Sequence, residues 1–362
     1  MAVLLAATAG CSPATRVEPP AQPPSVLLIT IDTLRADRVG AYGDRTARTP
    51  ALDALAREGT RFDRAFATAP ITLVSHASIL TGRYPPGHAA RHNGMPLAAG
   101  VPTLAEAFAR TGAATAAFVA AFPLDRRFGL NRGFQTYDDR LPRDAAGHPA
   151  NERPGREVAD AAIAWLQAHR GSRVFLWVHF FEPHAPYGNP ADPAQARRPA
   201  SDRYDDDVAE ADAQAGRVIA AMRTSGAPPI VVAAADHGEA FGEHGEVSHS
   251  VFTYDTTLRV PLIVAGPGVH AGVVSDPVSL VDVAPTVAAL AGIGRFDADG
   301  RVILPAAAAI DRQIYAESFA PLLDFGWAPL RTIRRGGWKY IAAPRPELYD
   351  VAHDPGEMVN LV

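Results

Sequence analysis

The apolar run Val26-Leu27-Leu28-Ile29-Thr30-Ile31 and its later counterpart Ile230-Val231-Val232-Ala233-Ala234-Ala235 are nearly continuous rather than alternating. Such runs predict strands buried on both faces, the mark of a parallel sheet covered by helices. Helical spacing precedes two of the predicted strands. Val158, Ala161, Ala162, Trp165 and Leu166 come before a strand at Val174–His179, and Val208, Ala211, Ala215, Val218, Ile219 and Met222 before the one at Ile230. These stripes read as core. Alternation of strand and helix predicts an α/β domain with a central, mostly parallel sheet flanked by helices. From about Gln313 the pattern changes to short strands, Leu330–Ile333 and Trp338–Ile341, with Gly336-Gly337 between them as a hairpin turn. A small C-terminal antiparallel sheet follows.

The two apolar runs end in chemistry. Asp32 follows the first, and Asp236-His237-Gly238-Glu239 follows the second. One Asp after a strand is ordinarily a turn or helix-capping residue. Two such strand ends point instead to the carboxyl edge of an open sheet, where α/β folds bind ligands. Asp32, Asp236 and His237 are expected to hold one divalent cation, with Thr72 beside them as a further ligand and as nucleophile. Thr72 stands just before a helix predicted through Ala77, Ser78, Ile79 and Leu80, whose positive end and free N–H groups suit an oxyanion.

Asp32-Thr33-Leu34-Arg35-Ala36-Asp37, Thr49 to Asp53, Thr72 to Arg83, Phe181-Glu182-Pro183-His184-Ala185-Pro186-Tyr187, Asp236 to Gly245, Leu258 to Leu262 and Glu347 to Asp350 occur in an order that resembles the sulfatase family of the alkaline-phosphatase superfamily. The resemblance covers roughly residues 24–362. It implies an alkaline-phosphatase-like α/β sandwich and a metal-dependent ester hydrolase. Thr72 falls where sulfatases carry the Cys or Ser oxidised to formylglycine, His76 where they carry the motif's Arg, and Val74 where they carry Pro. Hydrated formylglycine releases sulfate by collapsing to the aldehyde, which threonine cannot do. A phospho-threonine can be attacked in line by water, and threonine nucleophiles serve the superfamily's phosphodiesterases and phospho-head-group transferases.

The resemblance also assigns the remaining candidates. Relatives often carry two consecutive Asp and later an Asp-Asn pair, a calcium cage. Thr33 and His237 in their place shift the expectation to Mn²⁺ or Zn²⁺, with Ca²⁺ left open. His184 matches a substrate-side histidine that contacts ester oxygens or protonates the leaving group. His249 stands where relatives place a Lys, and the sole lysine of this chain is Lys339. His76 and Asn93 join the catalytic set, Asn93 as a donor to the bound ester. His244 either braces its loop or takes part in catalysis, whereas His88, His92 and His179 read as structural. Val119-Ala120-Ala121-Phe122 replaces the family's Lys-Trp-His segment and removes two cationic contacts. The substrate is expected to be a small-molecule, glycan or lipid ester of phosphate or sulfate. An envelope phospho-head-group transferase, a true sulfuric ester hydrolase and a degenerate binding protein are the alternatives.

Composition narrows this further. The chain has 362 residues, 48% of them hydrophobic, and a net charge of −5. That mild acidity lacks the basic footprint of a nucleic-acid binder. Met1 to Ala9 is apolar but too short to span a membrane. It leads through Thr8-Ala9-Gly10 to Cys11, the single cysteine, and then to a Pro-rich stretch ending at Pro24. Small residues before a lone Cys and an extended linker resemble a bacterial lipoprotein signal, although no Lys or Arg precedes the apolar run. The expected organisation is therefore a signal-like segment and linker at 1–24, a catalytic domain at 25–311 and a small subdomain at 312–362. The expected location is the cell envelope, through lipidated Cys11, with a cytoplasmic protein as the alternative. The sequence carries no signal for an oligomeric state.

Overall fold

The computed structural model describes residues 23–143, 150–189, 191–305 and 311–362. Cys11 and most of its linker lie outside the described residues. The eight strands of the main sheet run Gly272–Val274, Thr60–Phe62, Leu262–Ala265, Ile230–Ala235, Val26–Ile31, Val174–Phe180, Ala114–Phe118 and Thr136–Asp138 in spatial order. Val26–Ile31 lies at the centre, parallel to both Ile230–Ala235 and Val174–Phe180. Leu262–Ala265 runs antiparallel to its neighbours. Every residue of the three central strands is buried, which is why their sequences do not alternate.

Helices cover the sheet. Gly155–Ala168 packs on Ala200–Arg223, which in turn meets Pro50–Glu58. A second group joins Thr72–Thr81, Leu104–Arg110 and Val283–Leu290. The apolar stripes read from the sequence sit inside these helices, with Val158, Ala162 and Leu166 buried in one and Val208, Ala211, Ala215, Val218, Ile219 and Met222 in the other. Gln313–Ser318, Leu330–Arg335, Trp338–Ala342 and Glu347–Asp350 form the expected antiparallel sheet. Its central hairpin pairs Arg335 with Trp338, so the loop is Gly336-Gly337, and Gly336 takes a φ of 57°. The mixed α/β architecture with its small antiparallel sheet is the one that the family resemblance implies. No described helix is long and apolar enough to cross a membrane.

Strand register builds the site. Ile31 pairs with Ala235, so Asp32 and Asp236, the next residue of each strand, emerge side by side at the carboxyl edge. Thr30 pairs with His179 on the other neighbour, bringing a histidine to the same edge.

Candidate active site

Asp32, Asp236 and His237 are fully buried, and one ligand atom from each lies within 4.8 Å of the others. His237 Nε2 is 3.6 Å from Asp32 Oδ1 and 3.4 Å from Asp236 Oδ2. His237 Nδ1 bonds the Gly238 carbonyl at 3.0 Å, and a carbonyl only accepts. The ring proton is therefore on Nδ1, and the Nε2 lone pair faces two carboxylates. Both Asp32 oxygens and Asp236 Oδ2 are buried without a hydrogen-bond partner. Lone pairs so opposed need a cation among them, and two carboxylates with one imidazole suit a divalent metal. The residues present fit the metal that the resemblance implies.

The electrostatics agree. Burial and the Asp32 charge push the Asp236 carboxyl well above the usual range. Burial also opposes ionisation of Asp32, but His179, His237 and His184 outweigh it and hold that carboxyl below the usual range. Burial brings the His237 imidazole down to about 4, leaving it neutral and able to act as a ligand.

Thr72 begins the helix Thr72–Thr81, whose ten residues are all buried. Its hydroxyl lies 3.5 Å from His237 Nε2. The sequence reading placed Thr72 just before the helix; it is the first residue within it. Ile71, the capping residue, supplies no side-chain bond, and Asn93 Oδ1 accepts from the Leu73 N–H at 3.0 Å instead. That leaves the Asn93 amide N–H groups as donors. One turn on, Ser75 Oγ donates to the Asp236 carbonyl at 2.6 Å and ties the helix to the strand end. Gly82 stops the helix at φ 66°, where a Cβ would lie 2.6 Å from that of Ala298.

Each remaining histidine has an assignable orientation. His76 Nδ1 donates to the Thr72 carbonyl at 2.7 Å, and its Nε2 accepts from Thr30 Oγ1 at 2.9 Å. Thr30 Oγ1 in turn accepts from Trp177 Nε1 at 2.9 Å. Burial brings the His76 imidazole down to about 3. His76 thus lies beneath Thr72 as a neutral brace, with Nδ1 also 3.5 Å from Asp236 Oδ2. His184 Nδ1 donates to the Ala185 carbonyl at 2.6 Å, and the ring stacks on Phe181 at 4.2 Å. His249 Nδ1 donates to Glu239 Oε1 at 3.0 Å. Its ring lies 5.0 Å from that of His184 and 4.5 Å from that of His237. In all three of His184, His237 and His249 the Nδ1 proton is engaged, so Nε2 is the free nitrogen.

Two participants escaped the sequence reading. His179 Nδ1 accepts from the Ala120 N–H at 3.3 Å, so its proton is on Nε2, 3.4 Å from Asp32 Oδ2. The strand that carries it was predicted, but only the register puts it beside Asp32. Glu239 is completely buried and holds His249. Burial disfavours the charged imidazole, but the Glu239 carboxylate more than compensates and raises the His249 pKa. The sequence signal for Glu239 was only its place at the end of Asp-His-Gly-Glu. His244 stacks on Tyr254 at 3.6 Å, and His88 bonds Ser78 Oγ at 3.0 Å; neither meets the carboxylates.

A family model for sulfatase matches residues 24–293. The chain belongs to the sulfatase family. It is 30% identical to steryl-sulfatase of Mus musculus over 79% of this chain and 65% of that protein. It is 25% identical to choline-sulfatase of Rhizobium meliloti (strain 1021) over 93% and 82%. The chain thus spans just under two thirds of the mouse relative and most of the bacterial one. Phosphonate monoester hydrolase of Agrobacterium radiobacter superposes with a TM-score of 0.75 at 23% identity, covering 93% of this chain and 91% of that one. A structure solved with its substrate D-glucosamine-2-N,6-O-disulfate superposes at 0.76 with 17% identity, covering 94% and 93%. The fold is that of sulfatase-like ester hydrolases.

Proposed function

We propose that this sulfatase-family chain is a metal-dependent hydrolase of phosphate-type esters in which Thr72 is the nucleophile. One observation carries the reading. A threonine hydroxyl opens a buried helix beside the Asp32, Asp236 and His237 cluster, 3.5 Å from His237 Nε2. The fold is shared by phosphonate monoester hydrolases and by sulfated-sugar enzymes, so it does not choose between them. The nucleophile does, because threonine has no second hydroxyl through which to expel sulfate.

Asp32, Asp236 and His237 would hold the divalent cation, for which Mn²⁺ or Zn²⁺ is favoured. Bound there, it would supply charge neutralisation at the ester oxygens and acidify the adjacent hydroxyl. Thr72 Oγ1, its proton passing to solvent, attacks phosphorus in line, forming one O–P bond as the bond to the leaving alcohol breaks. His184 Nε2 holds the proton passed to that alcohol, and His249 Nε2 and the Asn93 amide donate to the non-bridging oxygens. His76 fixes the first helical turn through the Thr72 carbonyl. Water then attacks the phospho-threonine, giving one proton to His184 Nε2 as its O–P bond forms; the P–Oγ1 bond breaks, the phosphoryl product leaves, and Thr72 regains its proton from solvent.

The test is a Thr72 pair assayed on matched sulfate, phosphate and phosphonate mono- and diesters. Thr72→Ala is expected to lose about 10³-fold or more in kcat, at least ~4 kcal/mol of barrier, while keeping its metal. Thr72→Ser keeps the hydroxyl and much of the activity. Faster turnover of a sulfate monoester than of its phosphorus counterparts would refute the phosphoryl preference, and a fully active Thr72→Ala would refute the nucleophile.

A further inference from the structure

Between Glu239 and His249 the chain doubles back on itself. The Ala240 N–H donates to the Ser248 carbonyl at 2.7 Å, and the Gly242 N–H to the Glu246 carbonyl at 2.7 Å. The tip is left-handed, with φ 114° at Gly242, 53° at His244 and 81° at Gly245. The two arms deliver Glu239 and His249 to the open end of this hairpin-like loop, where Glu239 Oε1 takes the His249 Nδ1 proton at 3.0 Å.

Immediately after His249 the chain turns away. Ser250 does so with φ 92°, a conformation that residues with a side chain rarely adopt. Such a backbone costs of order 1–3 kcal/mol and persists where its surroundings hold it. Two buried side chains do the holding. Glu246 Oε1 accepts from the Val251 N–H at 2.9 Å and from the Phe252 N–H at 3.3 Å. Ser318 Oγ, at the end of strand Gln313–Ser318, donates to the Ser250 carbonyl. Glu246 is 8% exposed and Ser318 fully buried, so water is a poor replacement for either.

Glu246 serves here as an acceptor rather than as a counter-ion. Burial pushes its carboxyl up to about 7, against the pull of the two N–H bonds and of His249, so much of it is uncharged near neutral pH. Glu239 fixes the His249 ring at Nδ1. Where Nε2 then points depends on where the backbone sets the residue, and the turn at Ser250 decides that.

We propose that Glu246, with Ser318, is a positioning residue that acts through His249: by clamping the left-handed turn at Ser250 it aims the Nε2 donor at the transferred group. Its effect on rate rests on the ester-hydrolase reading, and its effect on the His249 ring does not. Glu246→Ala, Glu246→Gln and Ser318→Ala are made in the full chain, alone and with His249→Ala. Glu246→Ala is expected to lower kcat by about 10²-fold with KM little changed, the scale on which a misplacement of about 1 Å acts, and to keep its metal content. Glu246→Gln, whose amide oxygen accepts the same two bonds, should stay within about threefold of the parent. Both variants remove the Glu246 charge, so the difference between them reports position. Without His249, Glu246→Ala should cost less than about twofold more, because a residue that acts through another has nothing left to act on. Ser318→Ala is expected to show the same pattern at about tenfold, and it decides the matter if Glu246→Ala fails to fold. Parental kcat in a folded Glu246→Ala, or in Ser318→Ala, overturns the proposal. So does a loss in Glu246→Gln equal to that in Glu246→Ala, or one that keeps its full size without His249. The Nδ1 proton of His249, read by NMR as a downfield resonance missing from His249→Ala, needs no turnover. If that resonance is kept in Glu246→Gln and shifted or lost in Glu246→Ala while the parent turns over no ester, the hydrolase reading falls and the positioning stands. Turnover by the parent with the resonance unmoved in Glu246→Ala does the reverse.

Discussion

Asp236→Asn is expected to make the metal-free protein more stable and the metal-bound protein less so. Asp236 Oδ1 accepts from the backbone N–H of Thr33 at 3.3 Å and of His237 at 2.8 Å, and an asparagine carbonyl can keep both bonds. Oδ2 has no partner and faces the His237 Nε2 lone pair at 3.4 Å. In the variant an amide NH₂ takes that place and donates to His237. At a pH above the raised Asp236 pKa, where the carboxyl is ionised, an unpaired buried acceptor becomes a bonded donor beside the Asp32 carboxylate, a gain of roughly 1–3 kcal/mol. With an unfolding entropy of about 2.1 cal/mol/K per residue, a chain of 362 residues shifts by about 1.3 °C per kcal/mol, so the metal-free melting point should rise by ~1–4 °C. Metal acts in the opposite sense. Losing an outer partner of a metal ligand already costs 10- to 100-fold in affinity, so loss of a charged ligand should cost at least ~100-fold. At metal equal to about 100 times the parent dissociation constant, the parent gains ~2.7 kcal/mol, or ~3.5 °C, and the variant no more than ~0.4 kcal/mol. Melting curves with and without metal, together with metal content after dialysis, provide the assay. Full occupancy in the variant, or a metal-free variant that melts below the metal-free parent, would refute the assigned ligands.

Three further outcomes are expected. Glu239 raises the His249 pKa, so the charged imidazole persists to higher pH in the parent; Glu239→Gln should move the alkaline limb of the pH–rate profile to lower pH, and an unmoved limb would detach His249 from the rate. Lys339 Nζ, 1% exposed, lies 2.9 Å from Asp255 Oδ1 and also pairs with Glu357. Lys339→Met strands the buried Glu357 and the half-buried Asp255 and should cost about 3 kcal/mol, the low end for a broken buried pair because Arg334 stays on Asp255, read as a lower urea midpoint. Burial works against the Asp255 charge, but Lys339 and Arg334 bring its pKa down to about 2, so its stabilisation holds above the ordinary carboxyl range and is lost as pH falls towards 2. Finally, envelope attachment through Cys11 predicts that Cys11→Ser moves the protein from the membrane to the soluble fraction; unchanged fractionation would sink the anchor.

The parts of the fold that could be read in the sequence are those whose reason is local. Val26–Ile31 and Ile230–Ala235 showed themselves as unbroken apolar runs because both of their faces are buried. Gly336-Gly337 announced a hairpin because its turn needs a positive φ. Thr60–Phe62, Leu262–Ala265 and Gly272–Val274 did not stand out, since they are three or four residues long and owe their existence to pairing with one another. The site divides in the same way. Asp32, Asp236 and His237 were visible as strand ends. The orientations of His249 and His179 were not, because one depends on a loop returning to Glu239 and the other on register with Thr30.

The positions where this chain departs from the family pattern that its motifs resemble acquire a common physical sense. His76, at the position where that resemblance implies an arginine, is neutral and spans Thr72 and Thr30. Ala120, within the segment that replaces Lys-Trp-His, uses its backbone N–H to set the His179 tautomer, which turns a proton towards Asp32. Among the described residues no lysine or arginine pairs with Asp32, Thr72, Asp236 or His237; their side-chain partners are histidines. A divalent cation there would be balanced in net charge by two carboxylates, so beyond the neutralisation it would supply at the ester oxygens, further positive charge would come from histidines, chiefly His249 on its Glu239 support. Under the proposed function, a centre whose positive charge beyond the metal comes from histidines would stabilise a singly charged phosphodiester or phosphonate monoester better than a doubly charged phosphate monoester. The same charge count suits a sulfate monoester, and under the proposed mechanism the discrimination against that substrate falls to Thr72, whose lone hydroxyl would be freed by attack at phosphorus but has no aldehyde to collapse to.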